Sequence, residues 1–245
     1  MKRNFILLIL PIIVLLTGCG ISQPKLPEYS VSDEDKIGYI INVENKIEHT
    51  HMGTTIFNNF NKTYNYEWNL SQYIDKYINK KMSSKLIDLS KLGYSIEALK
   101  GLIIAQDGQW IISKRDKYNK LVKDLNLKAI ILINDEPNNY FSYPSSYNVE
   151  GTGLLSHHVL GMKRYFSVLG VKSHIYLLNP QGAIVTRDEN LSILYDPLIS
   201  SYEEKSGFNA PIDIENLTEK EFEPVKNINI KHLNFLLDKT LKYLK

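Results

Sequence analysis

Apolar side chains recur along this chain with different periods, and each period predicts a different element. Leu70, Tyr73, Ile74, Tyr77 and Ile78 follow one another at i, i+3, i+4, i+7 and i+8, which puts them on one face of a helix that starts after Asn69. Asn69 is the expected N-cap, with Gln72 three residues on for a capping box, and Ser83 and Ser84 are the expected stop. Ser95 is expected to cap a second helix carrying Ile96, Leu99, Leu102 and Ile103 and ended by Gly108. Asp116 introduces a third, with Tyr118, Leu121, Val122 and Leu125 on one side. Leu233, Leu236, Leu237, Leu241 and Leu244 predict an amphipathic terminal helix, preceded by a capping-box start at Thr218 and Glu221.

Strand signals occupy the remaining stretches. Residues 37–43 are β-branched and aromatic and predict a first strand, residues 54–60 a second, and residues 45–53 the loop between them. Leu127–Asp135 holds Ala129, Ile130, Ile131, Leu132 and Ile133 in succession, the pattern of a strand buried on both faces. Residues 171–178 and 183–187 flank Asn179, Pro180, Gln181 and Gly182, which is type I turn chemistry and predicts an antiparallel hairpin. Residues 165–169 are expected to add a third strand to that meander. The fold class expected is α/β or α+β: a mixed sheet packed with amphipathic helices, an antiparallel hairpin in the second half and a C-terminal helix.

The head of the chain has a different texture. Lys2 and Arg3 precede an apolar run from Phe5 to Leu16 broken only by Pro11, too short for the roughly 18 to 20 residues a membrane-spanning helix needs. Leu16, Thr17, Gly18 and Cys19 follow. The order of basic head, short apolar run and this box resembles bacterial lipoproteins, in which such a cysteine is diacylated, with palmitate-type chains, before the signal peptide is cleaved on its amino side. The resemblance implies residues 1–18 as signal peptide, lipid on Cys19 and a membrane partner through that lipid, since more than one acyl chain makes membrane residence stable. Gly20, where an Asp resembles an inner-membrane retention signal in Gram-negative lipoproteins, implies the outer membrane, facing the periplasm.

Residues 19–36, with Ser22, Pro24, Pro27, Ser30 and Ser32 and no apolar period, are expected to be a tether reaching about 50 Å from the bilayer at full stretch. Residues 37–245 are expected to form one periplasmic α/β domain. Cys19 is the only cysteine, so this domain has neither a disulfide nor a thiol for chemistry. Without Lys2 and Arg3, the 29 basic residues fall to 27 and equal the 27 acidic ones, so a phosphate-tracking surface and a nucleic-acid partner are not expected.

Candidate chemistry is sparse. His49 and His51 would point the same way from a strand and, with Glu48, are the weak candidates for a metal site; a third ligand would have to come from His157, His158, His174 or His232, so no metal and no cofactor are expected. Ser156 beside His157 lacks the G-x-S-x-G elbow of a nucleophile, and Gly151, Thr152 and Gly153 read as a bend rather than a phosphate loop. Asp135 and Glu136 close the buried strand at the edge where open α/β sheets place their sites. Residues 137–147 combine Tyr140, Phe141, Tyr143 and Tyr147 with Asn and Ser, a composition suited to binding by a loop, and residues 61–68 with Tyr64, Tyr66 and Trp68 are a second aromatic stretch.

The order of strand, helices, buried strand and hairpin resembles, in layout, the periplasmic domain of envelope-assembly lipoproteins of the curli-secretion and penicillin-binding-protein-activator type. It implies a non-catalytic binding or assembly component with an envelope protein or glycan as partner. The alternative is an envelope-directed hydrolase whose Ser, His and carboxylate residues are brought together only by the fold, and the lack of catalytic motifs favours the first.

Overall fold

The computed structural model describes residues 31–82, 85–106, 109–136, 138–142, 145–149, 151–178, 185–187, 195–199, 208–209 and 211–244. The expected signal segment, Cys19 and Tyr143 lie outside them. The elements in chain order are β1 (Lys36–Asn42), β2 (Ile47–Met52), β3 (Phe60–Tyr64), α1 (Leu70–Lys81), β4 (Lys85–Asp88), α2 (Ile96–Leu99), β5 (Ile103–Gln106), β6 (Gln109–Ile112), α3 (Arg115–Asn119), β7 (Leu127–Asp135), β8 (Asn138–Ser142), β9 (Ser145–Val149), β10 (Thr152–Val159), β11 (Met162–Val168), β12 (Val171–Leu177), β13 (Val185–Arg187), β14 (Tyr195–Ile199) and α4 (Glu219–Lys242). The fold is α/β and, among the described residues, has two five-stranded mixed sheets, two separate two-stranded sheets and a long C-terminal helix.

The first sheet runs β13-β12-β7-β1-β4, with β1 parallel to both β4 and β7 and β12 antiparallel to β7. β7 is its middle strand and is covered on both sides. Ala129, Ile131 and Ile133 enter a core shared with α1 and α4, while Ile130 and Leu132 enter a second core with Leu99 of α2 and Tyr118 of α3. This is the unbroken apolar run that the pattern predicts, because neither face meets water. α1 buries Leu70, Ile74 and Ile78 as expected, but Asn69 sits in the left-handed region (φ 52°) and makes no side-chain cap bond. Its N–H donates instead to Asn45 Oδ1 (2.9 Å).

The helix expected from Ser95 is capped by Ser95 Oγ on the Ala98 N–H (3.1 Å) but stops after Leu99. Gly101 takes a left-handed φ of 66°, and the β-branched Ile103 that follows opens β5. α3 continues through a single π turn, Lys120–Asp124, which buries Leu121 and Val122.

The second sheet runs β14-β11-β10-β2-β3, with β10 parallel to β2. Three expectations fail here. Residues 45–53 are not a loop, since they contain β2, whereas residues 54–60 hold a short 3-10 turn, Ile56–Asn58, instead of a strand. Residues 165–169 do not join the β12–β13 hairpin, because β11 pairs with β10 and β14 in the other sheet. The chain changes sheets at Gly170, where an added Cβ would overlap the Gly151 carbonyl, and Gly151 itself has a φ of 76°. Only glycines allow the two backbones to cross this closely.

α4 lies against both sheets and carries the complete capping box, with Thr218 Oγ1 accepting from the Glu221 N–H and Glu221 Oε2 from the Thr218 N–H (2.6 Å). Phe222, Val225, Leu233, Leu236, Leu237 and Leu241 bury its inner face. Ahead of β1, Val31 is already buried, and its N–H donates to the Leu244 carbonyl (3.1 Å).

Candidate functional site

Two polar clusters are built by the fold. The first lies on the inner face of the second sheet. β2 places His49 and His51 on one side, as two-residue spacing requires, and the register sets Ser156 of β10 beside His51 and opposite Tyr165 of β11. Ser156 Oγ bridges the imidazoles, 2.7 Å from His49 Nε2 and 2.6 Å from His51 Nδ1. A hydroxyl has one proton, so it donates to one ring and accepts an N–H from the other.

The cluster is closed on all sides. His49 and Ser156 are fully buried, Phe60 stacks on His51 (4.8 Å between centroids), and Phe222 of α4 meets His49 edge-on (6.4 Å). His158, two residues beyond Ser156 and on the same face, packs edge-on against His51 (4.8 Å) and bonds the Tyr165 hydroxyl through Nε2 (2.6 Å). Burial, and then the neighbouring histidines, push His49 down to about 3 and His51 down to about 4, so both rings are neutral at pH 7. Burial likewise lifts Tyr165 to about 12. Glu48 faces the other way and accepts from Thr63 Oγ1 (2.9 Å), so it does not complete a set of ligands with His49 and His51. Among the described residues no group of three or more His, Cys, Asp or Glu is placed to hold a metal ion.

The second cluster lies at the carboxyl ends of the parallel strands. From β1 the chain crosses to β4 through α1 on one face, then crosses back past β1 to β7 through α2 and α3 on the other. The two crossovers diverge between β1 and β7, the topological switch point where open sheets form a crevice. Asp135 and Glu136 stand there on opposite faces. Asp135 accepts the Glu44 N–H and is lifted by burial to about 6.

Glu136 accepts from Lys100 Nζ (2.6 Å), His174 Nε2 (2.9 Å) and Asn134 Nδ2 (3.3 Å), with Lys172 Nζ 3.3 Å from its second oxygen. Burial by itself would raise Glu136, but the bonds from Lys100, His174 and Asn134 and the charge of His174 outweigh it and bring Glu136 down to about 2. The surroundings therefore shift the two carboxylates at this strand end in opposite directions, Asp135 up to about 6 and Glu136 down to about 2.

No protein-family model matches the chain. No curated protein matches it either. Among solved structures, the C-terminal domain of LpoB from Salmonella enterica is similar over 70% of this chain and 86% of that one, at 6% sequence identity and a TM-score of 0.23. Lipoprotein GNA1162 from Neisseria meningitidis is similar over 81% of this chain and 97% of that one, at 9% identity and a TM-score of 0.25. Scores of this size carry no argument about activity, which has to come from the residues themselves.

The aromatic stretch read as a loop is a hairpin. β8 and β9 pair in antiparallel register with Tyr140 opposite Tyr147 and Phe141 opposite Ser146, while Tyr143 lies outside the described residues. The hairpin follows Glu136 directly, so it is rooted at the switch point. The other aromatic stretch folds onto its own core: Tyr64 and Tyr66 pack on Phe222 and donate their hydroxyls to the Glu215 and Leu217 carbonyls (2.6 and 2.7 Å), and Trp68 is buried beside them. The sequence marks Glu136 at the end of the buried strand but not its partners Lys100, Lys172 and His174, which come from the end of α2 and from β12. His49, His51 and Ser156 are each visible along the chain, but the register that joins them is not.

Proposed function

We propose that this chain is a lipid-anchored lipoprotein of the bacterial envelope, held by acyl chains on Cys19 in the outer membrane and facing the periplasm. It acts as a non-catalytic binding or assembly component for an envelope protein or glycan. The observation that carries the reading is the aromatic hairpin: its backbone is already paired in register before any partner arrives, and it starts just past Glu136 at the carboxyl end of β7. A preformed platform of this kind loses little conformational freedom on binding.

The hydrolase reading has one observation on its side, the Ser156 hydroxyl between two imidazoles, which is nucleophile-and-base geometry. Against it, Ser156 and His49 are fully buried beneath Phe60 and Phe222, and burial makes both rings weak bases. A buried polar bridge inside the sheet accounts for the same contacts.

In intact cells, a photo-crosslinking residue at Tyr140 or Tyr143 is expected to trap one envelope partner that the same residue at exposed Lys123 does not. Equal capture at both sites, or none in any growth condition, removes the hairpin as binding element. Cys19→Ala is expected to abolish acyl labelling and membrane retention, and unchanged retention removes the anchor. Covalent labelling of Ser156 in the native protein by a fluorophosphonate probe would turn the reading to hydrolysis.

A further inference from the structure

Four large apolar side chains stand in water at one end of the second sheet. Ile56 and Phe57, on the turn between β2 and β3, are 77% and 91% exposed, and Leu160 and Met162, at the turn between β10 and β11, are 80% and 45% exposed. The two turns are neighbours, because β2 and β10 are parallel with Met52 beside His157, and Thr54 Oγ1 donates to the His158 carbonyl (3.1 Å). Among the described residues, none of the four belongs to a hydrophobic core cluster. Leu160 takes a left-handed φ of 50° in a two-residue turn with Gly161, a position suited to Asn and strained for leucine.

Their chemistry is that of an interfacial wedge. Residues 53–60 and 157–164 include no carboxylate, and exposed Lys163 and Arg164 flank the apolar tips. The turn backbone is bonded within itself, with the Asn58 and Asn59 N–H groups donating to the Thr55 and Ile56 carbonyls (3.0 and 3.3 Å) and the Gly53 N–H to Asn59 Oδ1 (2.9 Å). Such a turn enters a water-poor layer with fewer orphaned polar groups.

We infer that these two tips insert into the headgroup layer of an anionic phospholipid bilayer, the same one that carries the proposed tether. Apolar residues backed by cations bind such a surface through burial and electrostatic attraction together. The reach is sufficient. Val31 is fastened at the C-terminal end of α4, and Phe222, near its other end, packs on the sheet that bears the tips. A 24-residue helix is about 36 Å long and residues 19–30 extend to about 40 Å, so the domain can lie with both ends on one surface. The tip contact goes beyond the anchor at Cys19 and does not need it.

The test uses the full processed chain in vesicles of phosphatidylcholine and phosphatidylglycerol with brominated acyl chains, and compares Phe57→Trp and Leu160→Trp with Leu92→Trp, an exposed position beside the first sheet. Quenching at 57 and 160 above the native tryptophan background is expected to be at least about threefold that at 92. Lys163→Glu with Arg164→Glu is expected to remove most of the excess in phosphatidylglycerol vesicles. Three results overturn the inference: quenching at 57 and 160 no greater than at 92, quenching only by brominated lipid in separate vesicles, or an emission shift that follows protein concentration without lipid, which marks a second copy as the occupant. Mass spectrometry of Cys19 on the same samples reads the anchor independently. A chain without acyl groups that is still quenched overturns the anchor alone.

Discussion

His49 and His51 meet a hydroxyl in the buried core, whereas His174 meets a carboxylate at the half-open end of a central strand. The same ring serves opposite purposes in the two places. Beneath Phe60 and Phe222, water is excluded and no counter-charge is at hand, so the neutral imidazole is held and its hydrogen bonds to Ser156 fix strand register. Beside Glu136, two lysines and a histidine surround one carboxylate, and the arrangement holds charge in place at the point where the aromatic hairpin departs. A buried polar group thus specifies pairing in the second sheet, and an ion network organises a strand end in the first.

The comparison breaks most readily at Ser156. Ser156→Ala removes the hydroxyl without adding bulk and leaves ring nitrogens on two buried histidines without a partner, and is expected to lower stability by about 3 kcal/mol in urea unfolding at neutral pH. A loss near zero would show that the hydroxyl does not bridge them.

Acid separates the clusters next. Between pH 7 and 5 the unfolded chain protonates histidines near their ordinary value of about 6.5, while His49 and His51 in the folded chain remain neutral, so stability falls as the pH falls. Asp135, raised to about 6, takes up a proton in the folded state over the same interval and offsets part of the loss. The net change expected is about 2 kcal/mol of destabilisation at pH 5. His49→Gln with His51→Gln is expected to flatten this profile even as it lowers its plateau.

Glu136→Gln keeps a hydrogen-bond acceptor and removes the charge that Lys172 and His174 face, with an expected loss of about 1.5 kcal/mol that shrinks in high salt. Lys100 reaches the same oxygen from a more exposed position, so Lys100→Met is expected to change stability by less than about 0.5 kcal/mol. A larger effect for Lys100→Met than for Glu136→Gln would reverse the view of Glu136 as the hub.

How much of this could be read from the sequence follows from what each inward position is made of. β7 was legible because Ala129 to Ile133 are apolar and both faces are buried. β2 was not, because its inward positions after Ile47 are His49 and His51, polar residues whose burial is permitted only by Ser156, more than a hundred residues away. The pairing of β11 was hidden for a similar reason: local texture says strand, but the partner is chosen by the glycine crossing at Gly151 and Gly170. The capping box of α4 was visible since Thr218 and Glu221 act on their own turn, whereas Asn69 was drawn into a left-handed conformation by its bond to Asn45. Exposed tips such as Phe57 and Leu160 leave no periodic trace and emerge only once the strands on either side are placed.

The bond from Val31 to Leu244 also determines where the body is held. Tension on the preceding segment does not arrive at β1, where it would peel an interior strand out of its sheet one hydrogen bond at a time. It arrives at the last turn of α4, a helix packed lengthwise against both sheets, so the load is spread in shear along that packing. The attachment works as a handle on the C-terminal helix, and cutting back the chain's last described turn, which holds Leu244, is expected to loosen the handle before it touches the sheets.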